Sequence, residues 1–443
     1  MGKSGMKPTP LSFCAVLLLE VVASTFAPPV SGLEADSFGQ SLPCFKVAQV
    51  PPCMAVEVAG DRLYAIGQGR LSVLDITDPA KPTLLGHLDG LGNTRQLVIR
   101  GETAYITARK HGFWVVDVSH VNQPTLLSHY DTVEMATGIW VSGSVGFIAT
   151  RCYGVEIVDV SDPHQVRHLS TFKTGEAQSC WARNGRLYIG DWAPKKLIVA
   201  DVHNPREPVL LGEGGLDGYG DGGCLRGHLC FAATGHHSRN DNKVETQGHG
   251  HGLDIFDVSD PAAPVLVSRV KFPALYHLQN DMWTARVSGN HCVVADTYNG
   301  VFVVNVADVT KPVIAARALL PLVGTGKEPD AVGGVALAKD IIYAAGISSG
   351  LYVVPAPGLA QPVVSEKDEP PLMTAAQAPE PVDPDFLGDQ LVDKLFAGRF
   401  LCAHWHRSGP AWYDISGPTQ VVAGNKHPRH FPLQLDGRRL RDG

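Results

Sequence analysis

Short runs of three or four apolar residues recur along the chain. Most are followed by Asp, then Val or Ile, Ser or Thr, Asp and Pro. The pattern reads LSVLDITDP at 71–79, FWVVDVSHV at 113–121, VEIVDVSDP at 155–163 and LIVADVHNP at 197–205. It continues as LDIFDVSDP at 253–261 and VFVVNVADV at 301–309, with weaker copies LYVVPAPGL at 351–359 and AWYDISGP at 411–418. The first four marker residues, Asp75, Asp117, Asp159 and Asp201, stand 42 residues apart. A fixed period of this length marks a repeat architecture. Within a copy the polarity alternates as in strands. QLVIR (96–100), TAYITAR (103–109), FWVVDV (113–118) and TLLSHY (125–130) read as four strands joined by turns. No helical period persists through ten residues of the repeat region.

Four short strands per repeat predict an all-β fold, a β-propeller of four-stranded blades. A linear β-solenoid is the alternative, but its repeats are usually shorter. Eight copies favour eight blades. The Pro-rich, acidic stretch at about 355–384 separates the last two copies, so seven blades with an appendage are also allowed. FKVAQV (45–50) has the look of a fourth strand without a blade and is expected to close the ring on the last copy. The expected organisation is residues 1–32 as a signal peptide, 33–53 as an N-terminal segment, 54–424 as the propeller and 425–443 as a tail. Arg438, Arg439 and Arg441 in that tail read as a solvated end.

These copies resemble the LVIVD-repeat family, whose name matches the third-strand sequence almost letter for letter in VEIVD (155–159). The likeness is clear over about 54–364 and weak over 387–424. It implies an exported or surface-associated propeller and brings no set of catalytic residues with it.

Composition agrees with a turn-rich fold. Gly (47) and Pro (32) are abundant, which argues against long helices. A formal net charge of −7 makes nonspecific nucleic-acid binding a poor expectation. Lys3 and Lys7 precede a mostly apolar stretch, Leu11 to Phe26, interrupted by Glu20. That order predicts export, with cleavage near Gly32 or Ala35, to the periplasm, the cell surface or the medium. A retained N-terminus is the alternative. No later apolar run reaches 18 residues, so no transmembrane helix is expected in the mature chain. Export permits disulfides. Cys152–Cys180 and Cys44–Cys53 are the candidate pairs, whereas Cys292 and Cys402 lie in apolar runs and read as buried thiols.

Strand order predicts where chemistry sits. Turns one–two and three–four share one face with the DVSDP motifs, whose Asp and Ser cap turns. Turns two–three and the blade links share the other face, and there the residues vary from copy to copy. The ligand-binding candidates are Arg109, His111, Arg151, Asp191, Trp192 and Tyr298. The largest insertion, GHHSRNDNKVETQGHGHG (235–252), lies on this face. His236, His237, His249 and His251, with His277, His404 and His406 from other blades, are candidate ligands for a divalent transition metal. A solvated polar loop is the plainer reading of the same histidines. Trp181 and Trp283 read as inter-blade core. The G-x-G-x-x-G match at Gly218 to Gly223 lacks a following helix and reads as a blade link.

The sequence thus supports an exported binding module for a glycan, a protein or a cell-envelope ligand. The alternative is a metal-assisted enzyme, a polysaccharide lyase or hydrolase with a His/Arg/Tyr site on the same face.

Overall fold

The computed structural model describes residues 39–235, 252–272, 284–326 and 328–359, together with the backbone of short strands between 396 and 442. The described residues contain no helix. Seven small sheets of four antiparallel strands follow one another along the chain. In the first five, sequence order is spatial order, as in blade two: Gln96–Arg100, Thr103–Thr107, Phe113–Asp117 and Thr125–Tyr130.

The first strands pack side by side around a closed ring. They are Ala55–Ala59, Gln96–Arg100, Gly138–Ser142, Ala177–Arg183, Tyr219–Arg226, Thr284–Ser288 and Val332–Ala338, and the last lies against the first. The described ring therefore has seven blades, the smaller of the two counts the repeats allow, and the expected preference for eight is corrected.

The N-terminal segment makes the closure. Blade seven has three strands of its own, Val332–Ala338, Ile341–Gly346 and Gly350–Pro355, and Phe45–Lys46 pairs antiparallel with the third. Phe45–Lys46 thus acts as a fourth strand, shorter than the 45–50 expected, and on the seventh copy and not the eighth. Gly350 marks the substitution. A Cβ there would stand 2.4 Å from the Val50 carbonyl oxygen, just as one on Gly154 of blade three would stand 2.2 Å from the Phe172 carbonyl of that blade's own fourth strand. Gln40–Ser41 adds a further strand, parallel to the outer strand of blade six. The eighth copy contributes Gly409–Asp414, paired with Phe400–Trp405 in a separate three-stranded sheet.

The core lies between blades, and the two-residue pleat builds it. In blade four, Leu187 and Ile189 enter the core shared with blade three, while the intervening Tyr188 enters the core shared with blade five. Trp181 lies in that second core, as expected. Each fully buried Leu or Ile of this kind contributes about 1.5–3 kcal/mol.

The repeated Asp is a turn-former. The carboxylates of Asp75, Asp117, Asp159, Asp201 and Asp257 each accept the backbone N–H two residues on, at 2.8–2.9 Å. Asn305 does the same through its amide oxygen. Those hydrogen bonds hold the Asp75, Asp117 and Asp257 carboxyls below the usual carboxylate range.

None of the seven described cysteines is in a disulfide. Cys44 and Cys53 serve different inter-blade cores, and Cys180 donates its thiol to the Phe147 carbonyl at 3.3 Å, in a core that does not include Cys152. The two pairings expected from the sequence are absent for that reason.

Candidate functional site

Buried polar side chains are distributed unevenly over the ring. Except for Ser170, every buried polar or charged side chain among the described residues lies on a two–three turn, on a blade link or among the three strand residues next to them. The opposite face carries the exposed Asp-capped turns. Burial of a polar group costs free energy unless it is partnered, so this asymmetry sets one face apart.

The turns on this face are tied to the next blade. Arg109 pairs through its backbone with Ala136, Arg151 with Ala177, and Thr297 with Val332. Arg109 and Arg151 adopt φ of +49° and +47°, the left-handed region that closes each turn. This bridging sets each turn beside the following link.

The densest cluster spans blades three and four. Arg151 donates from Nη2 to Glu176 Oε1 at 2.6 Å, and the two side chains are 12% and 5% exposed. Gln178 donates to the same oxygen at 3.1 Å. The Glu176 backbone N–H donates to Asp191 at 2.5 Å, and the Gly175 N–H donates to the other Asp191 oxygen at 3.3 Å. Burial raises the Asp191 carboxyl, and those amides draw it back down. Ser179 extends the cluster to blade five by donating to the Asp221 carbonyl.

Glu134, in the link before blade three, sits close to this pair. Burial pushes its carboxyl up to about 7, and the Glu176 charge pushes the same way. Arg151 and the backbone amides of Tyr153 and Cys152 oppose the rise. A fourth acid, Glu156, is fully buried and accepts from the Tyr130 hydroxyl and the Val133 N–H, both at 2.7 Å. Tyr153 has a buried hydroxyl with no hydrogen-bond partner among the described residues, and the Lys173 ammonium lies 3.0 Å from its ring centroid.

An aromatic platform flanks the carboxylates. Trp192 stacks on Tyr219 with centroids 4.2 Å apart and an interplanar angle of 22°. Lys195 lies 4.8 Å from the Tyr219 centroid. An open cleft of about 460 Å³ runs between blades three and four, lined in part by Lys173, Thr174, Asp191, Pro194 and Lys196.

The structure therefore brings Arg151, Asp191 and Trp192 together. Arg109 and His111 stand on blade two. There His111 Nδ1 accepts the Asn93 N–H at 3.2 Å, and its carbonyl pairs with His129 Nε2 at 2.7 Å, tying the turn to the preceding link. Tyr298 stands on the two–three turn of blade six. His236, His237, His249, His251, His277 and His406 lie outside the described residues, as does the His404 side chain. Among the described residues no three His, Cys, Asp or Glu side chains are grouped to hold a metal.

Glu134, Glu156 and Glu176 are the members that sequence reasoning missed. Their only local signal is an acid placed in, or just after, a link or turn of this face.

The LVIVD repeat family matches six segments, residues 53–89, 91–132, 135–173, 174–213, 248–271 and 281–318. No curated protein matches the chain. Among solved structures, a chain from the S. cerevisiae complex of a Dbp5 variant with Nup159, a Gle1 variant, IP6 and ADP is similar, with 12% identity and a TM-score of 0.50 over 74% of this chain and 98% of that one. The N-terminal domain of Nup159 gives 13% identity and a TM-score of 0.49 over 75% and 99%. At such identity the likeness is one of fold.

Proposed function

The chain belongs to the LVIVD-repeat proteins and is a seven-bladed β-propeller in its described residues, and from that premise we propose that it is an exported binding module whose ligand seat is the blade-three to blade-five sector of the turn-and-link face. The observation that carries the proposal is the gathering of buried polar side chains on that face, centred on Arg151, Glu176 and Asp191. The inter-blade cores themselves are apolar, so these polar groups stand apart from the bulk of the packing.

The chemistry fits a hydroxyl-rich ligand, and a glycan segment is the class we favour. Trp192 and Tyr219 offer an apolar stacking surface, and the carboxylates and Arg151 offer acceptors and donors beside it. A glycan array probed with wild-type protein, Trp192→Ala and Glu134→Gln tests this. Binding lost in both variants, with neither melting below wild type, supports the seat. Equal binding by all three rejects it. Export rests on Lys3, Lys7 and the apolar stretch after them, and N-terminal sequencing of protein from the native host tests it.

An acid–base enzyme at the same seat is a second reading, and Glu134 is the observation behind it. A carboxyl held near 7 can give or take a proton at neutral pH. Turnover of acidic polysaccharides that is lost in Glu134→Gln would favour this reading over simple binding. The metal-assisted form of that reading rests on the histidines of 235–252, and metal analysis of the purified protein tests it.

A further inference from the structure

Each inter-blade core draws on alternate residues of the strands that border it, so register decides which cysteines can meet. In blade five, Cys224 pairs across the sheet with Phe231, and Leu225 pairs with Cys230. Paired residues share a face. Cys224 therefore points with Phe231 into the core shared with blade six, and Cys230 points with Leu225 into the core shared with blade four. In blade six, Cys292 and Val294 enter the blade-five core, while Val293 and Ala295 turn toward blade seven. Among the described cysteines, Cys224 and Cys292 are the two that share one core. Cys224 packs against the apolar core in which Cys292 is buried.

The backbones on both sides are held. Arg226, two residues beyond Cys224, reaches across to blade six and donates to the Gly289 carbonyl at 2.5 Å and the Val306 carbonyl at 3.3 Å. The two thiols differ in access, since Cys292 is fully buried and Cys224 is half-buried. One can meet an oxidant, and the other is positioned to resolve the product.

We infer that Cys224 and Cys292 form a disulfide that joins blade five to blade six when the folded protein meets a small-molecule disulfide. The Cys224 thiolate attacks the disulfide RSSR, forming Cys224–S–S–R and releasing RS⁻, which takes up the proton lost by Cys224. The Cys292 thiolate then attacks the Cys224 sulfur, its proton leaving with the second RS⁻ as RSH. The two thiols lose two electrons together, and RSSR is reduced to two RSH. Burial raises the Cys292 thiol, so the second step is the slower one.

The test uses the full chain, folded, equilibrated with oxidised glutathione or with dithiothreitol, alkylated after acid quench and mapped without reduction. The expected result is a peptide pair joined through Cys224 and Cys292 in the oxidised sample, with Cys53, Cys180 and Cys230 alkylated. The oxidised protein should melt a few degrees higher than the reduced one, because the link constrains the unfolded chain. Cys292→Ala should retain Cys224 as a glutathione mixed disulfide and lose the redox dependence of melting. Full alkylation of both Cys224 and Cys292 after oxidation overturns the inference, and so does Cys224 joined to any other cysteine.

Discussion

Arg151 and Glu176 form a buried ion pair across the junction of blades three and four, with Nη2 and Oε1 2.6 Å apart. Arg151 comes from a turn and Glu176 from the next link, so the pair fastens two blades. Removing one partner strands the other charge in a water-poor site. Arg151→Met is expected to cost about 3 kcal/mol, read as a lower urea midpoint. The double variant Arg151→Met, Glu176→Gln should recover much of that loss. Equal midpoints for wild type and Arg151→Met would refute a structural role for the pair.

Glu134 gives stability an unusual pH dependence. Its folded carboxyl titrates near 7, above the ordinary value of about 4.3 in an unfolded chain. The native state therefore holds its proton more tightly. The resulting stabilisation is complete below about pH 4.3 and is lost as pH rises through 7. Wild-type protein should lose up to about 3 kcal/mol relative to Glu134→Gln between pH 5 and pH 8. Denaturant midpoints of both proteins across that range check the sign, and parallel curves would contradict it.

The Asp-capped turns act in the opposite direction. Asp75, Asp117 and Asp257 titrate below their unfolded value, so their contribution is present above about pH 4 and lost as pH falls through the lowered folded values. Replacing Asp117 with Asn, which can still accept the Ser119 N–H, should flatten the acid side of the stability profile. Asp117→Ala should lower stability at neutral pH as well, by about 1 kcal/mol. Thermal melts from pH 2.5 to 7 distinguish the three proteins.

Two glycines of positive φ should respond differently to a methyl group. Gly154, at φ +103°, faces the Phe172 carbonyl, which a Cβ would approach to 2.2 Å. Gly154→Ala should cost more than about 2 kcal/mol, because backbone must move. Gly101, at φ +56°, has open space where its Cβ would go. Gly101→Ala should cost only about 1 kcal/mol. Chemical denaturation of the two variants side by side gives the comparison.

The repeat was legible because one residue does the same local work in every copy. Asp75, Asp117 and Asp159 cap equivalent turns, so the marker survives where the flanking apolar residues vary. The blade count was less legible. A count of copies does not say which third strand receives Phe45–Lys46, and Tyr352 and Val353 of the seventh copy do. Arg151 and Asp191 could be found from turn position alone. Glu134 and Glu176 could not, since what sets them apart is burial between two blades. That burial is fixed by how neighbouring repeats pack, not by any pattern within one repeat.

Closure through Phe45–Lys46 also imposes an order of events. Tyr352 and Val353, to which this strand pairs, are made about 300 residues later. At the usual pace of about 5–20 residues per second, the early strand waits some 15–60 s for its partner. Blades one to six can form in turn during that interval, each from neighbours already made. The final step joins chain segments far apart in sequence, which carries the largest loop-closure entropy in the molecule. Refolding should therefore end in a slow phase, and a chain cut before residue 350 should be left with the exposed edges of an open ring, prone to pair with other chains.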